Sequence, residues 1–186
     1  MLEARLWRVS LIFGGGDKIE NMNNILEAPL VGETRRNHAL EHATIHILSR
    51  ALPGRSMAGH SNPTGFFLLG DLPTDQVRQA VSEALARLQN GEKQLAIHEG
   101  CGTNYAVTGG LAALFAFVGM SGTRSNRERF ERLPLVMLLS ILAFMIGQPL
   151  GPALQKQVTT ESDPGELQIV DVYKVAGNVH RVVTRF

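Results

Sequence analysis

Asn37-His38-Ala39-Leu40-Glu41-His42-Ala43-Thr44-Ile45-His46-Ile47-Leu48 is the stretch around which the chain is organised, and it reads as a helix with three histidines spaced by four. Side chains four apart stack one turn above the next, so His38, His42 and His46 form one drifting stripe. Glu41 borders the stripe beside His38, and Leu40, Ala43, Ile47 and Ala51 form an apolar face suited to a core. Within the stripe, His38-x-x-Glu41-His42 matches the inverted zinc-peptidase pattern. Two imidazoles at i and i+4 reach one ion, while a carboxylate at i+3 stays near it without ligating and can take the proton of an attacking water. The direct pattern is absent, because Ala43 follows His42 where that pattern needs glutamate. The same spacing also suits a helix with one polar face, its histidines bonded to backbone or water. The reading carried forward makes Glu41 the general base and His38 and His42 ligands of zinc.

Outward from this helix, hydrophobicity is uneven. Gly100–Thr123 and Leu133–Gln155 carry no charge, and each exceeds the about 20 apolar residues a membrane-spanning helix needs. Two spans are expected, roughly Asn104–Met120 and Leu133–Leu150. Gly109-Gly110 in the first and Ser140, Ala143 and Gly147 in the second are the small residues expected to let the backbones approach closely. The competing reading is two buried helices of a soluble α-protein. The lipid bilayer is the expected partner. A net charge of +1 over 186 residues offers no broad basic surface, so no nucleic-acid partner is expected.

Between the helix and the first span the pattern is that of a small α+β unit. Pro53-Gly54 stops the helix. Arg55–His60 and Phe66–Gly70 read as strands around Asn62-Pro63-Thr64-Gly65, with either Phe66 and Leu68 or Phe67 and Leu69 inward and His60 on the surface. A further helix follows from Thr74, its expected cap, through Val77, Val81, Ala84, Leu85 and Leu88 to Asn90-Gly91. Lys93–His98 reads as a last strand through Leu95 and Ile97.

His98-Glu99-Gly100-Cys101-Gly102-Thr103-Asn104 is the second chemical cluster, where this unit meets the first span. Imidazole and thiolate are zinc ligands, and glycines on both sides of Cys101 let the loop wrap an ion. His98 and Cys101 are therefore the expected donors to complete a site with His38 and His42. A tight turn at a membrane surface would use the same glycines and small thiol. Cys101 is the single cysteine, so no internal disulfide forms.

The ends of the chain are attachments. Met1–Phe13 combines Arg5 and Arg8 with Trp7 and Phe13, an interfacial pattern rather than a secretory signal. Gly14-Gly15-Gly16 breaks it, Ile19–Leu30 is a weak helix ending near Pro29, and Gly32-Glu33-Thr34 supplies a turn and cap before the histidine helix. At the other end, a polar linker from Lys156 to Gly165 leads to two alternating arms around Ala176-Gly177-Asn178, a β-hairpin that has to pair with the α+β unit or another protein. His180 is read as a surface residue.

Three motifs in this order, Asn37-His38-Ala39-Leu40-Glu41-His42-Ala43-Thr44-Ile45-His46, Asn62-Pro63-Thr64-Gly65-Phe66 and Cys101-Gly102-Thr103-Asn104, followed by apolar spans, resemble a family of uncharacterised bacterial membrane proteins known mainly from cyanobacteria and green non-sulfur bacteria. The resemblance covers about Arg35 to Leu150. It implies the same membrane architecture but points to no particular activity, since that family has none assigned. A fainter likeness is to the peptidase domain of membrane-bound AAA-type metalloproteases, where a metal helix is also followed by a hairpin, but with the direct motif and an ATPase module that this chain lacks.

The expected fold class is thus an α+β small soluble domain plus a two-helix transmembrane hairpin and a C-terminal β-hairpin. Its divisions are an N-terminal segment over 1–34, the α+β domain over 35–102, two transmembrane helices over 103–152, and linker and hairpin over 153–186. Arg124, Arg127, Arg129 and Arg132 in the short loop between the spans favour a cytoplasmic loop and outer termini. Translocating the folded unit ahead of the first span without a signal argues the reverse. The expectation adopted is a multi-pass protein of the cell (inner) membrane with its soluble domain cytoplasmic. Two function classes stay open: a membrane-anchored zinc metalloprotein, hydrolysing peptides near the bilayer, and an accessory or scaffold subunit partnered with other membrane subunits of a respiratory or photosynthetic complex. The spans hold no histidine for haem or chlorophyll, so the second role would be scaffolding.

Overall fold

The computed structural model describes residues 25–186, so the readings of Met1–Phe13, of Gly14-Gly15-Gly16 and of the first half of Ile19–Leu30 lie outside the described residues. Helix α1 runs from Pro29 to Ala51. Proline suits the first helical position, where its missing N–H costs nothing and its φ is already helical, so Pro29 starts this helix, while the helical residues Ile25 and Leu26 before it end at a turn and bend at Glu27 and Ala28. Gly32-Glu33-Thr34 consequently lies inside α1 and makes no turn.

Strands β1 (Ala58–Asn62) and β2 (Gly65–Leu69) form the expected hairpin. Phe66 and Leu68 are fully buried while Leu69 is exposed, which decides the register left open by the alternation. Helix α2 (Thr74–Gln89) buries Val77, Val81, Ala84 and Leu88 against α1. Thr74 is its first residue rather than a side-chain cap, and its hydroxyl meets His180 Nε2 at 3.0 Å.

Lys93–Ala96 is one turn of 3-10 helix, not a strand. Leu95 and Ala96 are both buried, and consecutive burial is incompatible with a strand lying on one face of a core. The carbonyls of Ala96 and Ile97 take hydrogen bonds from His42 and His46, which removes the need for a ladder partner.

The C-terminal strands β3 (Gln168–Ala176) and β4 (Val179–Arg185) join the same sheet, antiparallel throughout, in the order β1-β2-β4-β3. The sheet's inner face, with Phe66, Leu68, Val172 and Val182, closes the core against α1 and α2. His180, on that face opposite Leu68, is fully buried and not a surface residue. The fold is therefore mixed helix and sheet, and the hairpin that would be marginal alone is stabilised by pairing with β2.

Helices α3 (Gly102–Met120) and α4 (Asn126–Leu154) pack as an antiparallel pair, both long and apolar enough to cross a membrane. Their close contacts are not at Gly109-Gly110, where added Cβ atoms would meet nothing within 4 Å. They are at Gly119 against Val136, Gly147 against Thr108 and Gly151 against Asn104, with Ala143 fully buried. Glycines four apart on α4 face α3, whereas Gly109 and Gly110 point away because helical phase, not composition, sets the contact.

Beyond α4, Gln155–Thr159 continues as a π-helical turn. The fully buried Gln155 accepts from the His98 N–H (2.7 Å) and donates to the His98 carbonyl (3.1 Å). Arg35 on α1 donates to the carbonyls of Gln157 and Thr160. Both ends of the helical pair, Cys101 before α3 and Thr159 after α4, are thereby brought to the polar stripe of α1.

Candidate metal centre

The stripe is held by backbone carbonyls. His38 Nδ1–H donates to the Thr159 carbonyl at 2.9 Å, and His42 Nδ1–H to the Ala96 carbonyl at 2.7 Å. A carbonyl can only accept, so each bond places a proton on Nδ1 and leaves Nε2 as the free donor atom. Metal-ligating histidines are commonly oriented in this way. His46 is engaged through the other nitrogen, Nε2–H to the Ile97 carbonyl at 2.7 Å.

Cys101, buried at the residue before α3, sets its Sγ 3.5 Å from His38 Nε2. The ligand atoms of His38, His42 and Cys101 all lie within 4.8 Å of one another. Two ligands of a tetrahedral zinc, at about 2.0 Å for nitrogen and about 2.3 Å for sulfur, stand about 3.5 Å apart. The His38–Cys101 separation fits that edge, and the three donors are of the types zinc selects.

Electrostatics at the site follow from burial and contact. Burial pushes the Cys101 thiol up, but hydrogen bonds with His38, His42 and Thr103 outweigh it and bring its pKa down to about 4. Burial lowers His38, yet its bonds to Cys101 and Thr159 and the charge of Glu41 leave it raised overall. The two shifts run in opposite directions, as expected of an imidazole and a thiol that share a hydrogen bond. Glu41 is buried, and burial raises its pKa against the opposing Ser61 bond and the charges of His38 and His42.

The four residues expected to ligate are not brought together equally. His38, His42 and Cys101 converge. His98 does not join them: its ring packs 5.0 Å from His46 and 5.8 Å from His42, centroid to centroid. Burial and then the charges of His42 and His46 lower its pKa. Glu41 lies beside the cluster, its carboxylate accepting a hydrogen bond from the Ser61 hydroxyl. Gly59 faces that carboxylate so closely that a Cβ would overlap it. A cleft of about 250 Å³ is lined by His38, Glu41, Gly59, Ser61, Cys101 and Thr103 among others. His60 is exposed at its rim.

Ser61, Gly59 and the carbonyls of Ala96 and Thr159 were not signalled by any motif. Their roles arise from the packing of α1 against β1 and of the π turn against α1, contacts between segments far apart in sequence. A serine two residues before Pro63 in a short polar strand is the one local hint, and a weak one.

Residues 33–172 match the family model described as Domain of unknown function (DUF6391). An uncharacterized protein of Picosynechococcus sp. is 32% identical over 135 residues, covering 68% of this chain and 65% of the relative. The aligned part thus spans less than two thirds of that relative's length. No solved structure matches the chain.

Proposed function

The chain belongs to the DUF6391 family, a domain of unknown function, and from that premise we propose a small membrane-anchored zinc metalloprotein that hydrolyses peptides close to the bilayer. The observation that supports it most is the convergence of His38 and His42, each fixed through Nδ1 on a backbone carbonyl, upon Cys101, with Glu41 in the same cleft. Three protein donors are the number typical of catalytic zinc sites, whereas structural sites close with four. Zinc bound there would supply Lewis acidity and make a water nucleophilic near neutral pH.

The chain's own residues do the rest. Glu41, its pKa raised by burial, is suited to accept a proton from water and return it to a leaving amine. The Ser61 hydroxyl holds that carboxylate in one orientation. The carbonyls of Ala96 and Thr159 keep both imidazoles aimed, and the α1 backbone sets their spacing. The site's place gives the substrate's location: Cys101 immediately precedes α3, so a bilayer crossed by α3 and α4 begins beside the cleft. The folded unit is assigned to the cytoplasmic side.

Metal analysis of purified variants tests this reading. His38→Ala and His42→Ala should each lose zinc, because two remaining donors seldom hold it tightly. Glu41→Gln should keep zinc and lose hydrolysis, since the amide cannot accept the proton. Unchanged zinc in both histidine variants overturns the metal site. Zinc lost in those variants, with Glu41→Gln as active as the parent, overturns Glu41 as base.

A further inference from the structure

Among the described residues the sheet has two unpaired edges, and they differ. β3 carries register shifts between Ile169 and Asp171 and between Lys174 and Ala176, irregularities that turn an edge away from further pairing. β1 pairs with β2 residue for residue, from Ala58↔Leu69 to Asn62↔Gly65, without a shift. Among the described residues, no hydrogen bond outside the β1–β2 ladder uses the backbone of Ala58–Ser61. An antiparallel strand paired on one side leaves alternate N–H and C=O groups facing outward.

The position of this edge is the second observation. Gly59, His60 and Ser61, consecutive residues of β1, all line the cleft that holds His38, Glu41 and Cys101. Successive side chains of a strand point to opposite faces, so a run of three meets one cleft along the strand's edge. The edge is tied to the site at two points, where Ser61 bonds Glu41 and where Gly59 gives way to the same carboxylate. The cleft continues into an apolar groove that shares Thr34, His38 and Thr103 with it and is walled by Leu30, Val31 and Val158.

We propose that β1 is a substrate-docking strand, to whose free edge an extended apolar polypeptide segment adds as a fifth strand, its main chain read by Ala58–Ser61 and its side chains seated in the adjoining groove. This rests on the peptide-hydrolase reading and supplies its substrate class: unfolded or locally extended polypeptide, not folded protein. Main-chain pairing of this kind is tolerant of sequence, and alternate side chains add preference. The absence of a side chain at Gly59 makes room for the Glu41 carboxylate against β1, which sets that group beside the strand a docked segment would pair with.

Amide hydrogen exchange of the full chain in detergent micelles, with and without reduced and carboxymethylated lactalbumin as an unfolded probe, reads the strand directly. The alternate amides of Ala58–Ser61 that face away from β2 should slow by about tenfold or more at saturating probe, the scale of an added backbone hydrogen bond. Those of Gln168–Ala176 should not change, and native lactalbumin should protect neither. Protection on β3 instead, on neither strand, or equally by native lactalbumin overturns the proposal. A second measurement uses a labelled peptide of alternating valine and threonine and two analogues N-methylated at odd or at even residues. One analogue should lose about tenfold in Kd and the other should not, because only alternate amides face a strand partner. Equal Kd for both analogues overturns strand addition. Neither readout needs cleavage: protection without zinc or hydrolysis sinks the hydrolase reading alone, whereas hydrolysis without protection of β1 sinks the docking strand alone.

Discussion

Helices α1 and α4 are both long, and they solve opposite problems. α1 buries Arg35, Asn37, Glu41, His42 and Thr44, and each of these side chains has a specific partner, with Arg35 Nε alone among their buried polar atoms left without one. Arg35 meets the carbonyls of Leu26, Gln157 and Thr160. Asn37 donates to the carbonyls of Asn62 and Pro63 and accepts from Thr184. α4 instead presents Leu138, Ile141, Leu142, Phe144 and Met145 outward, large apolar side chains of the kind that mark an interaction or membrane surface when they cluster. A polar interior has to be satisfied group by group, so α1 draws on segments from all over the chain. An apolar exterior asks only for an apolar solvent, so a helix long and apolar enough to cross a membrane, as α4 is, would need little beyond α3 and lipid.

The sharpest way to break this comparison is a charge on the outside of α4. Ile141 is 57% exposed. In water Ile141→Arg would be an ordinary surface change, within about 0.5 kcal/mol. At the centre of a membrane-spanning helix it should cost about 2.5–3.5 kcal/mol, roughly a hundredfold in insertion. The fraction of protein resisting alkaline extraction from membranes should therefore fall sharply. An unchanged fraction, with the variant folded, would show α4 facing water or protein instead.

The same contrast explains what could be read in advance. The charge-free runs of α3 and α4, the apolar spacing of α2 and the alternation of β1–β2 are local signals that found each element, although β1 begins at Ala58 rather than Arg55 and takes in Asn62, and α4 begins at Asn126, well before Leu133. The histidine stripe was local too. What was not legible depends on contacts between remote segments. Lys93–His98 alternates like a strand, yet the Ala96 and Ile97 carbonyls are claimed by His42 and His46, and no local pattern reveals that. His180 looks like a surface residue beside Arg181 until β4 pairs with β2 and carries it against Thr74. His98 and Cys101 are three positions apart in one glycine-rich loop, and only the path of that loop past α1 decides which of them reaches His38.

A second test stays within the helical pair and compares glycines that touch a backbone with glycines that do not. A Cβ at Gly147 or Gly151 would lie 3.1 Å from the Cα of Thr108 or Asn104, and backbone atoms cannot swing aside. Gly147→Ala and Gly151→Ala should each destabilise the pair by about 1–3 kcal/mol, read from unfolding in mixed micelles. Gly109→Ala, with nothing within 4 Å, should be neutral or stabilising by up to about 1 kcal/mol through helix propensity. Asn104 bonds the carbonyls of His98 and Glu99, so Gly151→Ala should also weaken zinc binding more than Gly147→Ala does. Equal effects at Gly109 and Gly151 would overturn the helix–helix contact described here.

The smallest effect concerns Cys101, where the polar and apolar halves of the molecule meet. Its pKa is brought from 9.0 to about 4. A depressed pKa means that the metal-free folded chain holds a thiolate wherever the pH exceeds about 4, and that the associated stability is lost as pH falls through that value. Near pH 6 this raises the thiolate fraction about a thousandfold over an ordinary thiol, but a shift of about five units also lowers nucleophilicity by roughly two hundredfold. The net gain in alkylation rate is only about fivefold, and burial reduces it further. The slope is therefore more telling than the rate. Iodoacetamide should react with the folded, metal-free protein at nearly constant rate between about pH 5.5 and about pH 8, while the urea-unfolded chain should speed up about tenfold per pH unit. His38→Ala removes the largest opposing hydrogen bond to the thiol and should restore the steep slope. Added zinc should slow the reaction at every pH if the thiolate is a ligand. A folded protein as steep as the unfolded one would separate Cys101 from His38, and with it the third donor from the site.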